Sequence, residues 1–310
     1  TTNHQPPTTN YVRFMPAISL AGVLGPVTTP FTPSETLDLE GFAANLRSHI
    51  AHGLAGVVVC GSTGEAALLD ETERSALLGA ARPAVSSDCL LLMGTGAEST
   101  KQCVARCRDA GARGADAVLV VAPHYYGAQM TVEALRAHFE RVADESPVPV
   151  VLYNIPKFMH FKLSIEMVAE LSMHHNIIGI KDSSGDLALL EGYLESQGER
   201  FTVLTGNGGQ LLPALERGAR GGIVAVGLFA GGLCIDVYEG FRSGDLARAA
   251  AAQERLKPMA SEIVGGLGVP GVKAALDAVG LVGGPVRMPL LALGATQRQI
   301  VERLMVPAMA

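Results

Sequence analysis

Short runs of apolar and β-branched residues recur along this chain at intervals of roughly twenty to thirty-five residues, and each is followed by a segment whose apolar positions repeat with helical period. Eight such runs read as strands: 22–28, 56–60, 90–94, 117–122, 149–153, 177–181, 201–205 and 221–226. Because the runs are continuously apolar rather than alternating, both faces of the sheet must be covered, as in a parallel sheet with helices outside it. The intervening segments carry helix signals. Residues 100–112 and 132–143 are amphipathic, and Asp70 followed by Glu73 has the spacing of a capping box. Eight strand–helix units within about 200 residues predict a closed (β/α)8 barrel, an α/β TIM barrel, in preference to an open doubly wound sheet.

Beyond the eighth run the chain turns alanine-rich and helical from about Cys234, with breaks at 265–271 and 280–289. The predicted organisation is a polar, proline-containing disordered segment at 1–15, a barrel at 16–233 and an appended C-terminal helical bundle at 234–310.

Composition narrows the possible functions. With 310 residues, 48% hydrophobic and 17% charged, the chain is of the globular class and large enough for a substantial core. A net charge of -6 without any Lys/Arg cluster excludes a basic face for nucleic acid. Prolines and threonines break the uncharged stretch 14–34, and the glycine-rich stretch 221–235 is too short for a membrane span, so a soluble protein is expected. The N-terminal residues also lack the basic and apolar regions of a secretory signal. Five cysteines, odd in number and scattered through apolar or helical contexts, argue against a disulfide framework and for a reducing, cytoplasmic compartment. Cys103 and Cys107 share a helix face, yet no paired His or further Cys completes a zinc site, so no structural metal is expected.

In such barrels reactive groups gather at the C-terminal ends of the strands and in the loops that follow. Lys181 stands there, at the end of the sixth run and before the polar Asp182-Ser183-Ser184-Gly185-Asp186. An amine held beside a buried strand becomes a nucleophile toward carbonyls where desolvation favours the neutral form. On the same rim the second strand ends in Gly61-Ser62-Thr63-Gly64-Glu65, whose glycines admit backbone N–H groups to a ligand and whose hydroxyls can bind a carboxylate or relay a proton. The fourth strand ends in Pro123-His124-Tyr125-Tyr126 and the fifth in Tyr153-Asn154-Ile155-Pro156. Each feature alone has a plainer explanation, as a snorkelling lysine, a turn or packing tyrosines. Their convergence on one rim favours chemistry.

Gly61-Ser62-Thr63-Gly64-Glu65, Tyr153-Asn154-Ile155-Pro156 and Gly179-Ile180-Lys181-Asp182, in that order and spacing, resemble the motifs of the dihydrodipicolinate synthase/N-acetylneuraminate lyase family of class I, pyruvate-dependent aldolases. The resemblance runs from about Gly22 to at least Pro289. It implies that Lys181 forms an imine with pyruvate and that Tyr153 shuttles protons at the imine and the substrate hydroxyl. It makes Thr63 and Tyr125 relay partners, Tyr125 reaching in from a neighbouring subunit. It further implies that Ser62 and Thr63, in the turn opened by Gly61, hold the keto acid carboxylate, and that Gly206 and Ile223 line the site. No cofactor and no metal are implied beyond the covalent imine. The implied partners are a 2-keto acid and an aldehyde, and the implied assembly is a homotetramer, a dimer of dimers.

Departures from the family patterns bear on the second substrate. Dihydrodipicolinate synthases carry an arginine five residues after the catalytic tyrosine, where this chain has Phe158, flanked by Lys157 and His160 as possible substitutes. N-acetylneuraminate lyases carry acidic residues where Gly208 and Gly209 stand. The segments 94–100, Tyr125-Tyr126, 142–144 and 181–186 are most similar to mitochondrial-type 4-hydroxy-2-oxoglutarate aldolases, which makes Ser183 a further substrate ligand. The expected activity is therefore cleavage or formation of a 4-hydroxy-2-keto acid, with 4-hydroxy-2-oxoglutarate giving pyruvate and glyoxylate as the leading case. Condensation of pyruvate with aspartate semialdehyde by a 4-hydroxy-tetrahydrodipicolinate synthase is the alternative, and a keto acid sensor or scaffold without turnover is the non-enzyme alternative.

Overall fold

The computed structural model describes residues 18–305, so the segment 1–15 expected to be disordered lies outside the described residues. Eight parallel strands close into a barrel in chain order. They are β1 (Gly22–Pro26), β2 (Gly56–Val59), β3 (Leu90–Gly94), β4 (Ala117–Val121), β5 (Val150–Asn154), β6 (Ile177–Asp182), β7 (Thr202–Thr205) and β8 (Gly221–Ile223). Pairing of Leu24 with both Gly56 and Ile223 closes the ring at β1. The strands are buried almost throughout, as their continuous apolar character requires of a sheet covered on both faces. The largest departure from the sequence reading is at β8, where Ala225 and Val226 enter a 3-10 turn, Ala225–Leu228, instead of extending the strand.

The covering helices are α1 (Leu39–Ala51), α2 (Glu71–Ala81), α3 (Thr100–Ala112), α4 (Val132–Glu145), the single turn α5 (Pro156–Met159), α6 (Ile165–Ser172), α7 (Leu187–Leu194) and α8 (Leu211–Glu216). Local chemistry sets their starts. Asp38, Ser99, Thr131, Ser164 and Asp186 each accept a hydrogen bond from the backbone N–H three residues on, and Asp70 with Glu73 forms the full reciprocal capping box. Such a cap stabilises a helix by about 1 kcal/mol.

The remaining helices are α9 (Gly231–Ser243), α10 (Leu246–Pro258), α11 (Gly268–Ala278) and α12 (Ala295–Met305). Residue 233, the expected boundary of the bundle, falls inside α9, which packs on α8, β1 and α10. Pro258 has no N–H to donate to the preceding turn, and the helix widens after it into a π-helical segment, Met259–Leu267. The break expected within 265–271 is a single residue, Gly268, at φ +64°. The π segment and α11 lean over the barrel mouth, touching the turns that follow β2, β7 and β8. Among the described residues no helix is long and apolar enough to cross a membrane, and no group of three or more His, Cys, Asp or Glu side chains is placed to hold a metal ion.

Candidate active site

Lys181 is the penultimate residue of β6 and is only 5% exposed. The β5–β6 register sets it directly beside Tyr153, and its Nζ lies 4.3 Å from the centre of the Tyr153 ring. The next pair along the same register, Asn154 and Asp182, locks the two strand ends. Asp182 accepts hydrogen bonds from Asn154 Nδ2 (2.7 Å) and Ser184 Oγ (2.7 Å), while Asn154 Oδ1 accepts from the Leu163 N–H (3.1 Å). Burial pushes the Asp182 carboxyl above the usual carboxylate range, and these hydrogen bonds oppose the shift. The Ser183 N–H donates to Asn154 O (2.8 Å) and the Gly206 N–H to Asp182 O (2.6 Å), so three adjacent strand ends are tied around the lysine.

Gly206, just past β7, shows how tightly the lysine is packed. A Cβ there would collide with Ser183 Oγ and stand 2.9 Å from Lys181 Cε. Glycine is thus required by the close approach of two side chains. Ser183 lies over it.

The segment after β2 forms a 3-10 turn, Ser62–Gly64. Its two glycines play different parts. The Gly64 N–H is consumed within the turn by Gly61 O (2.9 Å), Gly64 O accepts from Thr29 Oγ1 (2.7 Å), and a Gly64 Cβ would stand 2.9 Å from Val27 O. Gly64 is therefore glycine for packing against the β1 edge, and the N–H groups with no partner in the turn are those of Ser62 and Thr63 at its start.

A cavity of about 260 Å³ opens at this rim. Seven of the nine expected site residues line it: Ser62, Thr63, Tyr153, Lys181, Ser183, Gly206 and Ile223. Gly61 does not, because it sits behind the turn as its N-terminal cap with its carbonyl turned to Gly64. Tyr125 does not either. It is 77% exposed, its ring packs edge-on against Tyr126, and its backbone N–H donates to Glu98 Oε2 (2.8 Å). Of the two possible replacements for the absent arginine, Lys157 lines the cavity and His160 does not. Lys157 Nζ donates to Gly265 O (3.1 Å), and Phe158, Val264 and Val269 make the mouth largely apolar.

Sequence reasoning missed what holds the Ser62–Thr63 turn in place. Glu65 adopts a left-handed backbone, φ +57°, which is unfavourable for a residue with a side chain. Its carboxylate is fully buried against Lys273 Nζ of α11 at 2.6 Å, and its other oxygen accepts from the Arg287 N–H (2.9 Å). Lys273 also donates to Pro285 O (2.7 Å), and Arg287 grips Glu73 through both terminal nitrogens. The two cations sit over the Phe31 ring at 4.6 and 4.2 Å. Burial lowers the Lys273 pKa and the Glu65 carboxylate counteracts it. A lone lysine within the apolar 271–276 segment was the available signal.

The sequence model of the dihydrodipicolinate synthetase family matches residues 19–307. The chain belongs to that family. It is 35% identical over 288 residues to a 4-hydroxy-tetrahydrodipicolinate synthase of Methanoculleus marisnigri, covering 92% of this chain and 98% of the relative. Among solved structures it resembles DapA-2, a dihydrodipicolinate synthase of Bacillus anthracis, at a TM-score of 0.89 and 29% identity, over 93% of this chain and 98% of that one. It also resembles YagE, a prophage protein of E. coli K12 from the same family in complex with pyruvate, at a TM-score of 0.88 and 30% identity, over 94% and 99% of the two chains. Membership makes the chain a carbon–carbon lyase of a family that holds pyruvate covalently on a lysine.

Proposed function

We propose that Lys181 is that lysine and that the protein makes or breaks the C3–C4 bond of a 4-hydroxy-2-keto acid. The observation that carries this reading is the buried Lys181 amine lying 4.3 Å over the Tyr153 ring, in one cavity with Ser62 and Thr63. Lys181 attacks the C2 carbonyl and releases water, giving a protonated imine whose carboxylate is held by the Ser62 and Thr63 hydroxyls and N–H groups. Tyr153 takes the proton of the C4 hydroxyl. The C3–C4 bond then breaks, its electron pair moves into the iminium to leave an enamine, and an aldehyde departs. Protonation at C3 and hydrolysis of the imine release pyruvate. Ser183 and Ile223 line the space beside the reacting carbons, and Gly206 keeps Ser183 and Lys181 close.

For the aldehyde, 4-hydroxy-2-oxoglutarate as substrate, with glyoxylate as product, is the leading assignment. Glyoxylate is small enough for its carboxylate to be met by the Ser183 hydroxyl, since the Ser184 hydroxyl is spent on Asp182. The naming of the M. marisnigri relative supports aspartate semialdehyde as the second reading, with Lys157 as the cation for its more distant carboxylate. Exposed Tyr125 fits a homotetramer in which it completes a neighbour's relay, and the free cysteines fit a cytoplasmic protein.

Pyruvate release from 4-hydroxy-2-oxoglutarate and consumption of pyruvate with aspartate semialdehyde separate the two. Cleavage of the former with no turnover of the latter is expected. The reverse pattern would replace the leading assignment with the synthase.

A further inference from the structure

A second cavity, of about 450 Å³, lies away from Lys181, between the C-terminal end of α1, the β8–α9 connection, α10 and the segment that follows α11. The α9 helix begins at its wall. Gly231 and Gly232 are the first residues of that 13-residue helix, and a Cβ added to either would meet nothing within 4 Å, so bare backbone faces open space. The first bond into the helix is from the Cys234 N–H to Ala230 O (3.3 Å), which leaves the N–H groups of Gly231, Gly232 and Leu233 without helical partners. Ala230, in the capping position, has no side chain to satisfy them. The positive end of a helix dipole therefore opens onto the cavity.

An independent feature points to the same occupant. His49 lines the cavity, is 4% exposed, and its ring makes no hydrogen bond to any described residue. Burial, with His52 beside it, pushes this ring down to about 4, so at neutral pH it is uncharged and carries one N–H with no acceptor. An oxygen entering the cavity would supply the acceptor that this ring lacks among the described residues. Arg255 also lines the cavity. Asp236, the acidic residue of the lining, is engaged by the Arg248 guanidinium. Leu228, Phe229 and Leu281 form apolar wall.

We propose that this cavity is a second ligand site, for a carboxylate carried on an apolar body, with the oxygens on the α9 N-terminus and the His49 N–H. The site adjoins the first. Ala225 and Val226 wall the Lys181 cavity, and the next residues, Gly227 and Leu228, wall this one, within a single turn. Occupancy of one is thereby felt in the lining of the other.

Hexanoate is a suitable probe, with hexanol as its uncharged control, in titration calorimetry on the intact protein with pyruvate saturating. Saturable hexanoate binding with a Kd of about 1 mM or below is expected, with hexanol at least about tenfold weaker. Gly232→Asp places a carboxylate of its own at the helix start, in space where nothing clashes. It should weaken hexanoate about tenfold or more while leaving the melting temperature unchanged or raised. His49→Phe should weaken it as well. No saturable binding, equal affinity for hexanol, or unaltered hexanoate binding by Gly232→Asp would each overturn the proposal.

Discussion

The turn after β2 and the loop after β4 leave the same barrel rim, and the family resemblance implies them in one proton relay, yet they are held in opposite ways. The Ser62–Thr63 turn is fastened from behind by Glu65, whose carboxylate is buried between Lys273 and the Arg287 backbone. Tyr125 and Tyr126 stand 77% and 65% exposed, anchored mainly through the loop backbone to Glu98. The first is finished within one chain, because the C-terminal helices fold back over the mouth. The second offers its two rings to solvent.

The largest effect should come from breaking the fastened side. Lys273→Met leaves the Glu65 carboxylate buried without its cation and should cost about 3–5 kcal/mol in chemical denaturation. The Glu65→Gln/Lys273→Met pair should recover part of that loss. A Lys273→Met protein within about 1 kcal/mol of the parent would mean that the ion pair does not hold the turn.

On the open side the expectation is inverted. Tyr125→Phe removes only a hydroxyl from an exposed ring and should change stability by under about 0.5 kcal/mol. Turnover should fall roughly 10²-fold if the hydroxyl relays protons in the assembled enzyme. Unchanged turnover would remove Tyr125 from the relay.

A smaller effect concerns acid. The Arg287 guanidinium, hydrogen-bonded to Glu73, holds that carboxyl below its ordinary value of 4.5, against a modest opposing effect of burial. A depressed carboxylate stabilises the fold above the unfolded pKa, and this contribution drains away as pH falls through the depressed value. Denaturation midpoints followed downward from pH 5 should therefore decline less steeply in Arg287→Met than in the parent. Parallel curves would show that the pair adds nothing.

The contrast also explains what could be read from the chain. Strand ends were legible because a continuous apolar run stops where the polar rim begins, which located Lys181, Tyr153 and Ser62–Thr63 together. The Glu65–Lys273 pair was not, because its members lie at opposite ends of the barrel-plus-helix arrangement and only closure brings them together. Gly268 could not be chosen among Gly265, Gly266 and Gly271 as the helix break, since all four are equally permissive in isolation. Gly61 is a related case. A Gly-x-x-Gly spacing marks a tight turn without saying which N–H groups the turn itself consumes.

Borohydride reduction of the protein with pyruvate, followed by peptide mass spectrometry, tests the central claim most directly. The account predicts a pyruvate-derived adduct on Lys181, formed more slowly but still formed in Tyr153→Phe. Absence of an adduct on Lys181 in the parent protein, or an adduct on another lysine, would contradict it.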